Sequence, residues 1–192
     1  ALIDFDGTIS VIRQGWEDVM IPLMIEMICE GKPPTPEIEQ EVREYVDYST
    51  GILTMKQMQW LAEAVHRYGL AKHPKRPQEY KRIYNERLLV RVEERLRKLV
   101  NDELNPDDLM IMGSRNLLEE LNRRNVVMYL ASGTDHEYVS REAEALKITQ
   151  HFDNRIYGAL DHTETHTKEK IIQGILDDNN LRGDHLLVVG DG

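Results

Sequence analysis

Three apolar runs, each ending in a polar, glycine-containing cluster, constrain the fold more than any other feature of this sequence. Residues 1–5 lead into Asp6-Gly7-Thr8, residues 126–131 into Ser132-Gly133-Thr134, and residues 186–189 into Gly190-Asp191-Gly192. A short, nearly continuous apolar run bounded by turn residues reads as a strand buried on both faces, the kind found in parallel sheets. Residues 156–160 form a further, weaker strand candidate. Between these runs the apolar period becomes helical. Leu117, Leu118 and Leu121 follow a capping Ser114. Asp135 can cap a helix to about Leu146, and Thr167 one that carries Ile171, Ile172, Ile175 and Leu176. Strands alternating with helices predict an α/β protein with a three-layer, Rossmann-like parallel sheet. Ligands bind such sheets beyond the carboxyl ends of the strands, so the three clusters are expected to meet at one site.

Residues 13–105 interrupt this alternation with helical patterns alone. Residues 16–28 are apolar on most sides. Thr35-Pro36 reads as a cap followed by a first-turn proline, leading a face of Ile38, Val42, Tyr45 and Val46. Thr54 can cap a helix with Met58, Leu61, Ala62 and Val65 on one side. A long charged helix from about Pro77 to Val100 carries Leu88, Val92, Leu96 and Leu99. The expected organisation is a core of residues 1–12 and 106–192 with a helical domain of residues 13–105 inserted after the first strand.

Of the 192 residues, 41% are hydrophobic, enough for a sizeable core. The longest apolar stretch, near Met20 to Ile28, is broken by Pro22 and Glu26, which argues against a membrane span. No basic flank precedes an apolar run, so no secretory signal is read, and the chain begins without Met in what already reads as strand. The single cysteine, Cys29, cannot form an intramolecular disulfide and fits a reducing compartment; the expected location is cytoplasmic. A net charge of -10 argues against nucleic acid as a partner. The basic residues between Arg67 and Lys98 read either as a solvated helix face or as an attraction for an anionic substrate or partner.

Asp4 and Asp6 sit two apart at the end of an extended run, so both side chains can reach one reacting centre while Phe5 turns into the core. Two carboxylates can divide the labour of ester hydrolysis. One attacks as a nucleophile; the other donates a proton to the leaving oxygen and then activates water. The same five residues could make a plain surface turn, but an exposed turn needs no buried strand before it. A calcium loop needs more oxygen ligands at fixed spacing than are present.

Asp4-Phe5-Asp6-Gly7-Thr8 resembles the first motif of the haloacid dehalogenase superfamily, whose members are mostly phosphatases. Ser132 looks like its second motif, Lys168 its third and Gly190-Asp191-Gly192 its fourth, in the family's order and framing nearly the whole chain. The resemblance implies that Asp4 is the nucleophile, that Asp6 is the acid and base, and that Ser132 donates to a phosphoryl oxygen beside the N–H groups of Gly133 and Thr134. It implies that Lys168, with Lys170 as an alternative, offsets the repulsion between carboxylate and phosphate. It also implies a magnesium ion held by Asp4, the Asp6 carbonyl and Asp191. The family continues with more sheet after its fourth motif, so further chain beyond Gly192 is expected.

The inserted helices resemble the family's α-helical cap, which excludes water and contacts substrate. Candidates for that contact are Arg13, Gln14 and Trp16 just after the first motif, and Thr50-Gly51 at a break between helices. For Trp16 a core position is the alternative, and for Arg13 a surface one. The expected reaction is magnesium-dependent hydrolysis of a small phosphorylated metabolite, a sugar phosphate or similar compound. The alternatives are a phosphomutase of the same superfamily and a non-catalytic phosphate-binding domain. His162, Glu164 and His166 lie in a loop-like stretch where a zinc site is conceivable but a loop is the simpler reading.

Overall fold

The computed structural model describes residues 1–159 and 168–190, with Lys168 described by its backbone alone. Two compact units make up the chain: Ala1–Gln14 with Glu93–Gly192, and Gly15–Val92.

The first unit is built on a parallel sheet of β1 (Leu2–Asp4), β2 (Tyr129–Asp135), β3 (Ile156–Ala159) and β4 (Val188–Val189). The spatial order is β3-β2-β1-β4. β1 therefore lies between β2 and β4, and all three of its residues are buried. Leu2, Ile3 and Asp4 pair with Tyr129, Leu130 and Ala131, while Leu2 and Ile3 pair on the other side with Val188 and Val189. One sheet face carries Leu2, Tyr129 and Ala131, packed against Ile171 and Ile175 of the helix Lys168–Asp178. Ile3 and Leu130 point to the opposite face and are fully buried, so both faces are covered. The helices Ser114–Arg123 and His136–Ala145 belong to the same unit. In chain order the seven helices of the described residues are α1 (Glu17–Cys29), α2 (Pro36–Tyr48), α3 (Thr54–Tyr68), α4 (Pro77–Val100), α5 (Ser114–Arg123), α6 (His136–Ala145) and α7 (Lys168–Asp178).

Two strands depart from the expected bounds. β2 starts at Tyr129 rather than Val126 and continues through Ser132-Gly133-Thr134 to Asp135. The extension follows from pairing: after an irregularity beyond Ala131↔Tyr157, Asp135 pairs with Ala159. Tertiary pairing overrides the turn propensity of Ser-Gly. β4 is only two residues long, and Leu187 and Val188 are more than half exposed. It is one of the two edge strands, with β3, of the sheet formed by the described residues.

The second unit is helical: α1, α2, α3 and the part of α4 up to Val92. Thr35 caps α2 as expected, its Oγ1 accepting from the Ile38 N–H at 3.4 Å with Pro36 in the first turn. Ile38, Val42 and Val46 are buried along that helix. Thr54 does not cap α3. It is the first helical residue, with Leu53 at the cap, and Ala64 rather than Ala62 is buried on the inner face. Ser114 likewise opens α5 behind Gly113, whose φ of +87° suits glycine. Tyr45 stacks on Trp60 with ring centroids 3.9 Å apart. Cys29 is buried. Leu88, Val92, Leu96 and Leu99 are buried along α4. Among the described residues, no helix is long and apolar enough to cross a membrane.

Candidate functional site

The register of the sheet brings the polar clusters together. Ser132 follows Ala131, the partner of Asp4, and Gly190 follows Val189, the partner of Ile3. A Cβ built on Gly190 would lie 3.5 Å from the Asp4 Cβ and 3.8 Å from its Oδ2, so the backbone after β4 runs beside the Asp4 carboxylate. From β1 the chain proceeds to β2 and β3 on one side and returns to β4 on the other. Asp4 thus stands where the winding of the sheet reverses, the place where such sheets open a crevice.

Asp4 is buried, and its Oδ1 accepts the Phe5 N–H at 2.8 Å. Phe5 is fully buried, as the alternation of an extended chain requires. Beyond it the backbone folds tightly: the Ile9 and Ser10 N–H groups both donate to the Phe5 carbonyl at 2.9 Å, and the Gly7 N–H donates to the Ser10 carbonyl at 3.0 Å. Gly7 has a φ of +76°, a conformation that glycine adopts without strain.

This turn presents the Asp6 carboxyl to β2. The hydroxyls of Ser132 and Thr134 donate to Asp6 Oδ2 at 2.9 and 3.0 Å, and the Thr134 N–H donates to Ser132 Oγ at 2.9 Å. Asp6 Oδ1 is buried and has no hydrogen-bond partner among the described residues. A buried carboxyl oxygen without a partner costs about 1–3 kcal/mol, so its retention calls for a functional account.

The other sequence candidates fall as follows. Lys168 opens α7, with Lys170 two residues on. Asp191, and with it the fourth motif's carboxylate, lies outside the described residues, as do Thr167, His162, Glu164 and His166. Gln14 belongs to the first unit; Trp16, Thr50 and Gly51 belong to the second, with Thr50 exposed in the turn after α2. Among the described residues no three His, Cys, Asp or Glu side chains gather as a metal-binding group. Asp4 and the carbonyl of Asp6 nevertheless offer only hard oxygen donors, which suits magnesium.

Arg13 is buried rather than exposed. Its Nε donates to Glu142 Oε1 at 3.0 Å and its Nη2 to the same oxygen at 2.6 Å, with the guanidinium 5.5 Å from the Tyr138 ring centroid. Glu142 was not among the candidates. Its signal was present in the sequence: Val139, Ala143 and Leu146 are buried on one helix face, and Glu142 falls among them. Burial pushes the Glu142 carboxyl up to about 7 against the opposing pull of Arg13, and the Asp6 charge adds to the rise. Between its ordinary value of 4.5 and about 7 the folded protein then holds a proton that the unfolded chain has released. The stabilising contribution of this group is complete below the lower value and falls as pH rises through the upper one, by up to about 3 kcal/mol. Urea titrations at acid and neutral pH check this: the stability of wild type relative to Glu142→Gln is expected to drop on going to neutral pH. A difference that grows instead on going to neutral pH would mean that Arg13 keeps the carboxylate ionised in the folded protein.

Gly158 was also missed, although a glycine inside a strand often marks close backbone approach. A Cβ there would stand 2.4 Å from the His136 Cα, 2.6 Å from its N and 2.8 Å from the Thr134 carbonyl oxygen. Gly158→Ala must displace the segment that carries Ser132 and Thr134. It is expected to destabilise by about 1–3 kcal/mol in denaturant titrations.

The haloacid dehalogenase-like hydrolase family description matches residues 1–192. A curated relative, a 5'-nucleotidase from Pseudomonas aeruginosa, is 36% identical over 80 residues, covering 41% of this chain. The match spans 35% of that relative, about a third of its length. Among solved structures, a β-phosphoglucomutase from Clostridium difficile superposes with a TM-score of 0.61 at 16% identity, over 100% of this chain and 75% of that one. A predicted phosphatase from Clostridium acetobutylicum gives 0.59 at 14%, over 99% and 74%. A haloacid dehalogenase-like family hydrolase from Streptococcus pneumoniae gives 0.57 at 18%, again over 99% and 74%. At these identities the structural likeness establishes the fold. The family match runs the length of the chain, through the strand ends that meet around Asp4, and the chain belongs to the haloacid dehalogenase-like hydrolase family.

Proposed function

We propose that the protein is a phosphatase that hydrolyses a small phosphorylated metabolite through a phosphorylated Asp4. The observation that carries this reading is Asp6: a carboxyl held by two hydroxyls through one oxygen, with the other buried and unpartnered at the strand end where Asp4 sits. In the first step the Asp4 carboxylate attacks phosphorus. The bond to the leaving oxygen breaks, and Asp6 gives that oxygen a proton. In the second step Asp6 takes a proton from water, whose oxygen attacks the same phosphorus, and phosphate leaves with Asp4 restored. The Gly133 N–H, and the Thr134 N–H once it leaves Ser132 Oγ, serve the phosphoryl oxygens beside Ser132, whose hydroxyl stays on Asp6, and Lys168 counters their charge. Asp4, the Asp6 carbonyl and Asp191 would hold a magnesium ion, which when bound would supply positive charge that offsets the repulsion of carboxylate and phosphate. The helical unit of residues 15–92 acts as the cap, with Thr50 among its substrate-facing candidates, and limits the substrate to a small molecule.

The class of ester is expected among sugar phosphates. The 5'-nucleotidase relative adds nucleoside monophosphates to the range worth testing. The test is phosphate release from a panel of both, with magnesium and after chelation. Magnesium-dependent release is expected. A second reading, transfer of the phosphoryl group back to a sugar hydroxyl, is favoured by the likeness to the β-phosphoglucomutase. Isomer formation without free phosphate would select it, and no reaction with any ester would sink both.

A further inference from the structure

Arg13 and Glu142 lie 129 positions apart and meet in the interior of the first unit, with side-chain exposures of 10% and 1%. Burying such a pair is costly, and an apolar pair of similar volume often serves stability as well or better. Packing alone therefore gives no reason for a carboxylate among Val139, Ala143 and Leu146. The reason lies in what the pair joins. Arg13 follows the turn that carries Asp6: Ser10 bridges to Asp6, and the Ile12 N–H donates to Ser10 Oγ at 3.1 Å. Glu142 lies on α6, which opens directly after Asp135, the last residue of the strand whose Ser132 and Thr134 hydroxyls hold Asp6. The links form a closed ring: Asp6, its turn, Arg13, Glu142, α6, the end of β2, and Asp6 again.

We propose that Arg13 and Glu142 are a positioning pair that holds the Asp6 carboxyl against Ser132 and Thr134, with its second oxygen directed to the reacting ester. The function of Asp6 in this statement rests on the phosphatase reading. The pair acts through Asp6, and Arg13 is not a substrate ligand. The fork of hydrogen bonds fixes the distance between turn and helix, which a single-point contact would leave loose. The Arg13 cation also opposes the rise that burial gives the Glu142 carboxyl.

The experiment uses the full chain with Glu142→Gln, Arg13→Lys and the double variant Arg13→Met with Glu142→Leu. Misplacing a reacting group by about 1 Å costs on the order of 100-fold, so Glu142→Gln is expected to lower kcat by about 10- to 100-fold with KM changed less than about threefold. Arg13→Lys keeps the charge and recovers part of the rate lost on charge removal. The apolar double variant is expected to fold at least as stably as Glu142→Gln while its kcat stays low. Wild-type kcat in the double variant would reduce the pair to packing and overturn the proposal. So would single variants whose loss lies wholly in KM. A crystal structure of Glu142→Gln, or of the double variant if the single one does not fold, reads the same point without turnover. Asp6 is expected to have left the two hydroxyls. An unmoved Asp6 overturns the proposal even if wild type hydrolyses no ester, an outcome that by itself overturns only the phosphatase reading.

Discussion

Asp4→Asn is expected to lower phosphate release by about 10⁴-fold or more while leaving the fold intact. The amide has nearly the shape of the carboxylate, and its oxygen can still accept the Phe5 N–H that Asp4 Oδ1 accepts at 2.8 Å. It is uncharged and a poor nucleophile, so bond formation to phosphorus is lost. The check is release of phosphate from the best ester in the panel, with the thermal midpoint measured alongside. Acid quenching of the wild type during turnover should trap phosphate on the protein, and the variant should trap none. A variant that keeps a tenth of the wild-type rate would remove Asp4 from the nucleophile's role.

The second large effect belongs to Asp6. Asp6→Asn keeps an oxygen to accept from Ser132 and Thr134 but can no longer give or take a proton. Loss of general acid and base catalysis costs about 10²- to 10⁴-fold for alkyl phosphates, whose leaving alkoxide needs that proton. An aryl ester such as p-nitrophenyl phosphate releases a stable phenolate without help. Its first step should survive in the variant, while the second, which needs water activated, should not. The expected trace is a burst of about one nitrophenol per protein followed by slow release. Equal losses on alkyl and aryl esters, with no burst, would assign Asp6 a purely structural part. Because the substitution puts an amide NH2, equally without a partner, where the unpartnered oxygen stood, the thermal midpoint is expected to change little.

Residues 1–8 were legible as a strand and the turn that follows it. An apolar run of strand length, a carboxylate on alternate positions and a glycine at the turn are local features, and each is reproduced in β1, in the buried Phe5 and in the positive φ of Gly7. Thr35-Pro36 was legible for the same reason, since a cap is decided by neighbours within one turn of the helix. The end of β2 was not. Ser132-Gly133-Thr134 has the propensity of a turn, and only the pairing of Asp135 with Ala159 in β3 draws it into the sheet.

What the sequence determined by itself is the fold class and the order of strands and helices. Both reside in short patterns whose spacing reflects the geometry of one strand or one helix. What the tertiary structure decided is which groups share an environment. The order β3-β2-β1-β4 sets Gly190 beside Asp4, and the packing of α6 brings Glu142 to Arg13. The same arginine reads as a surface cation or a substrate contact from its position after the first motif. Its place is fixed by a carboxylate 129 residues away, because removal from water makes a charge seek its partner.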